Sequence, residues 1–256
     1  MSNSDYYIVI PARMASRRLP GKPLLDIAGR PLIEHVYRRA CSASAKEVVI
    51  ATDDAQILEV ARAFGAQVIM TSQAHQSGSD RIAEVADHLG WGDEQLLVNL
   101  QGDEPLMPGA CLDQVAAMLD GDSSADVASL YWPLDEREEI SDPNVVKVVT
   151  TGSGHALFFS RSVLPFPRHW GDLESALRTG FRWQRHVGLY AYRAGALRAF
   201  TGMQPTPLET SEKLEQLRFL ESGRKIRMAK ACQFIPAGVD TEHDLERIRR
   251  VIEEEL

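Results

Sequence analysis

The sequence predicts an α/β protein with a Rossmann-like, mainly parallel central sheet. Two observations carry that prediction. Through the first half of the chain, short runs rich in β-branched residues alternate with segments whose apolar residues recur at helical spacing. The runs are also nearly continuous in hydrophobicity, as parallel strands covered on both faces require. Composition agrees, because 256 residues that are 44% apolar and 25% charged can bury a sizeable core as one large or two small domains. Disorder and collagen-like repeats are excluded.

In chain order, Tyr7-Ile-Val-Ile10, Val48-Val-Ile-Ala51, Gln67-Val-Ile-Met70 and Leu96-Leu-Val-Asn-Leu100 are the expected parallel strands. Ile33, Val36, Tyr37 and Ala40 make the apolar stripe of a first helix, and Ile57, Ala61 and Phe64 that of a second. Ile82, Val85, Ala86 and Leu89 give a third, and Leu112, Val115, Met118 and Leu119 a fourth. Val145-Val-Lys-Val-Val149 and Ala156-Leu-Phe-Phe159 flank Thr151-Gly-Ser-Gly154, which predicts an antiparallel hairpin. Residues 160–185 carry Pro165, Pro167, Gly171 and Gly180 among aromatics and arginines and read as a mobile loop over a site. A strand over 186–192, a helix over about 211–222, a strand over 226–229 and a last helix with Leu245, Ile248, Val251 and Ile252 complete the chain. Thr241 and Asp244 have the spacing of a capping pair that starts the last helix.

Thirty-six acidic against 28 basic side chains give a formal charge of −8, which argues against nucleic acid or an anionic membrane as partner. No apolar run approaches the roughly 18 residues that span a bilayer, and Met1 to Asp5 lacks the basic and apolar regions of a signal peptide, so a cytoplasmic location is expected. Cys41, Cys111 and Cys232 are odd in number, far apart in sequence and form no C-x-x-C pair, so they read as reduced and mostly structural.

Chemistry concentrates after the strands. Pro11 to Pro23 holds Arg13, Arg17, Arg18 and Lys22 beyond the first strand's carboxyl end, where open α/β sheets bind ligands, so these cations suit a multiply charged anion such as a triphosphate. A solvated basic loop is the plain alternative. The loop is not a Walker A motif, and no dinucleotide G-x-G-x-x-G is present. Asn99-Leu-Gln-Gly-Asp-Glu-Pro105 places Asp103 and Glu104 after the fourth strand, and Gly238-Val-Asp240 suggests a further carboxylate at a strand end. Such hard oxygen donors suit Mg2+, although turn and cap roles are equally common for aspartate. His75 to Arg81 opens the third helix, where Ser77 or Ser79 serves as N-cap or a ligand meets the free N–H groups.

Read together, these motifs resemble the 3-deoxy-manno-octulosonate cytidylyltransferase family. The resemblance runs in order through Ile10 to Leu24, Ala51-Thr-Asp53, His75 to Gly78, Asn99 to Pro105, Asn144 to Val148, Phe159-Ser-Arg161, His186 to Tyr190, Leu214 to Arg218 and Gly238 to Thr241. It implies a nucleotidyltransferase fold of the nucleotide-sugar pyrophosphorylase type and a homodimer. It also implies transfer of CMP from CTP to the acid sugar Kdo, releasing pyrophosphate, in lipopolysaccharide synthesis. One domain over 1–256 is implied, with a nucleotide-binding part at about 1–130 plus 230–256. A smaller antiparallel, sugar-binding and dimerisation part would cover about 131–229.

By the same resemblance Arg13 and Lys22, helped by Arg18, bind the triphosphate, and Asp103 and Asp240 hold Mg2+. Ser77, Gly78, Arg81 and Gln101 line the cytidine side. Arg161, His186, Tyr190, Glu215 and Gln216 hold the sugar acid, with Arg161 paired to its carboxylate. Met14 and Arg17 depart from the residues expected in many relatives, at positions given no chemistry. The nearest alternatives are another acid sugar, 8-amino-Kdo or sialic acid, or a silent nucleotide-binding protein, which predicts a broken carboxylate pair.

Overall fold

The computed structural model describes residues 5–15, 18–169 and 171–254. Arg17 of the basic loop and residues 1–4, read above for a leader, lie outside them.

β1 (Tyr6–Ala12) leads through the basic loop and a 3-10 turn at Lys22–Leu24 into the short hairpin β2 (Asp26–Ile27) and β3 (Arg30–Pro31). Then come α1 (Leu32–Ala40), β4 (Glu47–Thr52), α2 (Ala55–Ala63), β5 (Gln67–Met70), α3 (Gly78–His88), β6 (Leu96–Asn99) and α4 (Gly109–Asp120). The second half holds β7 (Val127–Leu134), α5 (Arg137–Ser141), β8 (Lys147–Thr150), β9 (Ala156–Ser160), α6 (Leu173–Arg178) and β10 (Trp183–Arg193). It closes with α7 (Ala194–Thr201), α8 (Pro207–Glu212), α9 (Leu217–Glu221), β11 (Ile226–Lys230) and α10 (Glu242–Glu254).

Among the described residues nine strands form one sheet, ordered β11-β7-β10-β6-β1-β4-β5, with β8 added against β10 and β9 against β8. β5, β4, β1 and β6 are parallel. They are buried because both faces are covered: Ile8, Ile10 and Val98 pack into one apolar cluster, and Val9, Val49 and Leu97 into another. The chain winds outward from β1 to β4 and β5, then returns to β6 on the other side of β1. That reversal opens a crevice beyond the carboxyl ends of β1 and β6, the place where doubly wound sheets bind ligands. β10 runs antiparallel to both β6 and β7, and the β8–β9 hairpin extends the sheet from it, so an antiparallel part adjoins the parallel one.

The structure corrects four expectations. Residues 160–185 are not an open loop. Asp172 caps α6 by accepting from the Ser175 amide at 2.7 Å, and Trp183, 1% exposed, packs with Leu134, Ile140 and Ala176. The indole N–H donates to the Pro165 carbonyl at 3.0 Å, and Phe181 packs edge-on against Trp183 at 4.9 Å, so these two rings join a small separate core. Trp183→Ala is expected to cost about 3–5 kcal/mol in chemical denaturation. Phe166→Ala, at a side chain 77% exposed, is expected to change little.

The helix expected over 211–222 is two helices. Lys213 takes a left-handed conformation at φ 55° that ends α8, and the chain turns through Leu214 to Gln216 before α9 begins. Residues 231–240 form no strand, so Asp240 is placed by a loop. Finally, two of the three cysteines are distant only in sequence. Cys111 and Cys232 bring their sulfurs to 3.7 Å, and Cys111 alone of the three is buried. The Thr241–Asp244 capping pair is present, with the Thr241 amide donating to Asp244 at 2.9 Å and the Asp244 amide to Thr241 Oγ1 at 3.2 Å.

Candidate active site

The crevice beyond β1 and β6 is a cleft of about 680 Å3 lined by Arg13, Arg18, Lys22, Gln101, Asp103 and Asp240. Its floor needs glycine. A Cβ on Gly102 would lie 2.8 Å from the Pro11 carbonyl oxygen, so only glycine lets the loop after β6 close on the end of β1. Gly238 does the same for the third wall, where a Cβ would meet the Asp103 carbonyl oxygen at 2.7 Å. The Val239 amide donates to that carbonyl at 2.8 Å, and this bond, rather than a strand, sets Asp240 beside Asp103.

Lys22 sits where the walls meet. Its Nζ donates to Asp103 Oδ2 at 2.7 Å, to the Val239 carbonyl at 2.8 Å and to Asp240 Oδ1 at 3.3 Å. Arg18 closes the ring with Nη2 2.8 Å from Asp240 Oδ2. Two carboxylates held this close demand a positive charge between them, which the ammonium supplies. Glu104 is not a third anion. Burial, with Asp103 and Asp240 nearby, pushes its carboxyl up to about 8 against the pull of Arg185 and Lys22, so it is mostly protonated at neutral pH. Among the described residues no cluster of three or more His, Cys, Asp or Glu is placed to hold a metal. Two cleft-facing carboxylates nevertheless fit a hard divalent cation, which commonly takes one or two protein carboxylates and completes its shell with phosphate oxygens and water.

A narrower recess of about 120 Å3 continues from the cleft past Pro11, Ala12, Arg13 and Gln101 to Ser77, Gly78 and Arg81. Ser77 caps α3: its Oγ accepts from the Asp80 amide at 3.1 Å while its own amide donates to Asp80 Oδ2 at 3.0 Å. Arg81 is 3% exposed and committed to Asp53 Oδ2 at 2.8 Å and to Thr71 Oγ1, so it stiffens the recess. Asp53 belongs to a quoted motif, but its pairing with Arg81 had no signal in spacing.

The expected sugar residues gather on β10 and the turn before α9. The His186 and Tyr190 rings lie 5.4 Å apart, and Phe159 stands edge-on to His186 at 5.0 Å. Burial and Arg185 push the His186 imidazole down to about 3, so it is neutral at physiological pH, with Nε2 3.2 Å from Ser129 Oγ. Burial lifts the Tyr190 phenol well above its ordinary value, and Glu215 adds to the effect. Glu215 accepts from Ser79 Oγ at 3.2 Å, joining this wall to the start of α3. Tyr190 pairs in register with Asn99, whose Oδ1 is buried without a partner, as is Gln216 Nε2. Buried polar atoms are normally satisfied, so these two stand out, as do Gln184 Oε1 and Thr206 Oγ1.

Arg161 is anchored, with Nε donating to the Glu212 carbonyl at 2.7 Å and Nη1 to the Pro143 carbonyl at 2.9 Å. It follows Ser160, which pairs across Lys147 with Arg185 and so stands on the same sheet extension as His186. Ser129, which orients His186, escaped the sequence reading because β7 itself did.

The protonation state of His186 has a measurable consequence. With a folded-state value near 3 against about 6.5 unfolded, only the unfolded chain takes up the proton between those values. The associated stability is full above pH 6.5 and is lost as pH falls toward 3, by about 1.4 kcal/mol per pH unit. In urea melts at pH 7 and pH 5, His186→Gln is expected to lose less stability on acidification than the parent; equal losses would contradict a buried neutral imidazole.

Residues 7–226 match the cytidylyltransferase family model. A 3-deoxy-manno-octulosonate cytidylyltransferase of Cellvibrio japonicus (strain Ueda107) is 50% identical over 97% of this chain and 98% of its own length. One from Thioalkalivibrio sulfidiphilus (strain HL-EbGR7) is 50% identical over 97% and 99%. A solved structure described as CMP:2-keto-3-deoxy-manno-octonic acid synthetase complexed with CTP superposes with a TM-score of 0.90. It is 40% identical and covers 99% of this chain and 100% of its own.

Proposed function

The chain belongs to the cytidylyltransferase family, and we propose that it transfers CMP from CTP to the anomeric hydroxyl of 3-deoxy-D-manno-octulosonate, giving CMP-Kdo and pyrophosphate. The observation that carries this reading is the Lys22–Asp103–Asp240 junction, set in a basic cleft that continues into the recess of Ser77, Gly78 and Arg81. The near-full-length likeness to proteins of that name supports Kdo as the acceptor.

In this reading Arg13, Arg18 and Lys22 bind the triphosphate. Lys22 and Arg13 accelerate the step to the extent that their attraction grows as charge gathers on departing pyrophosphate. Gln101, Ser77, Gly78 and Arg81 shape the cytidine recess, and Asp103 also contributes to nucleotide binding. Asp103 and Asp240 would hold Mg2+, which supplies charge neutralisation and a template for in-line attack. His186, Tyr190, Glu215 and Gln216 orient the sugar, and Arg161 pairs with its carboxylate. Neutral His186 donates or accepts hydrogen bonds but is a weak base, and Glu104 keeps its proton at neutral pH. The chain's work is therefore mainly positioning and charge stabilisation, as phosphoryl transfer allows.

In this reading residues from about 1–130 with 230–256 are the nucleotide-binding part and about 131–229 the sugar-binding and dimerisation part of a cytoplasmic homodimer. Among the described residues no helix is long and apolar enough to cross a membrane. Incubation with CTP, Kdo and Mg2+ should yield a nucleotide sugar with the mass of CMP-Kdo, formed in step with pyrophosphate. CTP consumed without that product would refute the assignment.

A further inference from the structure

Cys111 and Cys232 are separated by 121 positions, yet their sulfurs lie 3.7 Å apart and both are free thiols. Cys111 is buried in the first turn of α4, whereas Cys232 is exposed at the start of the segment that joins β11 to α10. The side chain of Gln114, one turn along α4, fixes the pairing. Its Oε1 accepts from the Cys232 amide at 2.8 Å and its Nε2 donates to the Lys230 carbonyl at 2.8 Å. The Cys111 thiol also points along this segment, 3.8 Å from the Gln233 carbonyl. Cys41 lies elsewhere, exposed at the end of α1.

We propose that Cys111 and Cys232 form a redox modification site, a dithiol that closes to an intramolecular disulfide on exchange with a low-molecular-weight disulfide such as oxidised glutathione. The exposed Cys232 thiolate attacks one sulfur of the small disulfide. A mixed disulfide forms, and the other half leaves with the bonding pair and takes up a proton. Cys111 then loses its proton and attacks the Cys232 sulfur, expelling the second half as a thiol. Two protein thiols are oxidised to one disulfide while one small disulfide is reduced to two thiols. Burial pushes the Cys111 thiol up, which makes it the slower nucleophile toward solution and suits it to the second, proximity-driven step.

Closure brings the sulfurs from 3.7 Å to about 2 Å. It fastens to α4 the segment that continues to Val239 and Asp240. In a reducing compartment such a bond is transient, the behaviour of a sensor rather than a structural staple. The chemistry does not depend on the proposed activity.

Equilibrating the full chain with oxidised and reduced glutathione, alkylating the remaining thiols and mapping peptides under non-reducing conditions tests this directly. The expected result is loss of Cys111 and Cys232 together from the alkylated pool, one linked peptide pair containing both, and recovery of both on adding dithiothreitol. In Cys111→Ala, Cys232 should stop as a glutathione mixed disulfide. The proposal is overturned if wild-type Cys232 also stops there, or if Cys111 and Cys232 stay alkylatable in a mixture that converts Cys41. The wild-type map decides the matter even if a variant does not fold.

Discussion

Asp240→Asn is expected to lower turnover by at least about a hundredfold, since weakening even a supporting contact of a metal ligand commonly costs 10–100-fold. The protein should remain folded. Asp240 is 51% exposed at its side chain and is set in place by the main-chain bond from Val239 to Asp103, which the substitution leaves intact. What asparagine removes is one of the two negative charges that meet at Lys22, and with it an anionic oxygen for a divalent cation. The loss should be largest at low Mg2+ and incomplete in its recovery at high Mg2+. Thermal melts check the fold and a magnesium titration of initial rates checks the role; full turnover at saturating Mg2+ would remove Asp240 from the metal site.

Lys22→Ala is expected to lower kcat by at least about tenfold, or roughly 1.4 kcal/mol of transition-state stabilisation. The lysine is only 14% exposed at its side chain and makes three bonds into the junction, so alanine leaves Asp103 and Asp240 facing each other without an intervening cation. The split between parameters is informative. A fall in kcat and in kcat/KM by the same factor marks an interaction made in the transition state, whereas a rise in KM alone marks ordinary triphosphate binding. Unchanged kinetics would refute the role.

The parallel strands were legible because burial on both faces writes hydrophobicity continuously, and β1, β4, β5 and β6 lie close to where the sequence places them. β7 was not. Tyr131, Trp132 and Pro133, just before its buried last residue Leu134, are only partly buried, and proline there interrupts the strand signal. The break between α8 and α9 was equally silent, because the left-handed residue is Lys213 rather than a glycine. The aromatic content of 160–185 suggested a lid, since nothing in the order of residues tells an inward-facing Trp183 from an exposed Phe166.

At the site, residues just beyond strand ends were readable: Arg13 and Lys22 follow β1, and Gln101 and Asp103 follow β6. Asp240 reaches the same place by a loop and one main-chain bond, an arrangement that no period encodes. The residues proposed for the sugar side emerged only through the family resemblance. Their proximity depends on β10 crossing between β6 and β7, a pairing between segments distant in sequence.

Acceptor-dependent release of pyrophosphate from CTP is checked by measuring that release with Mg2+ and, separately, Kdo, 8-amino-Kdo, N-acetylneuraminic acid or no sugar. Rapid release is expected with Kdo, much slower release with the other acids and none without sugar. Preference for another acid would contradict the acceptor and the contacts assigned to Arg161, His186 and Gln216, and no release with any acid would contradict the enzymatic reading itself.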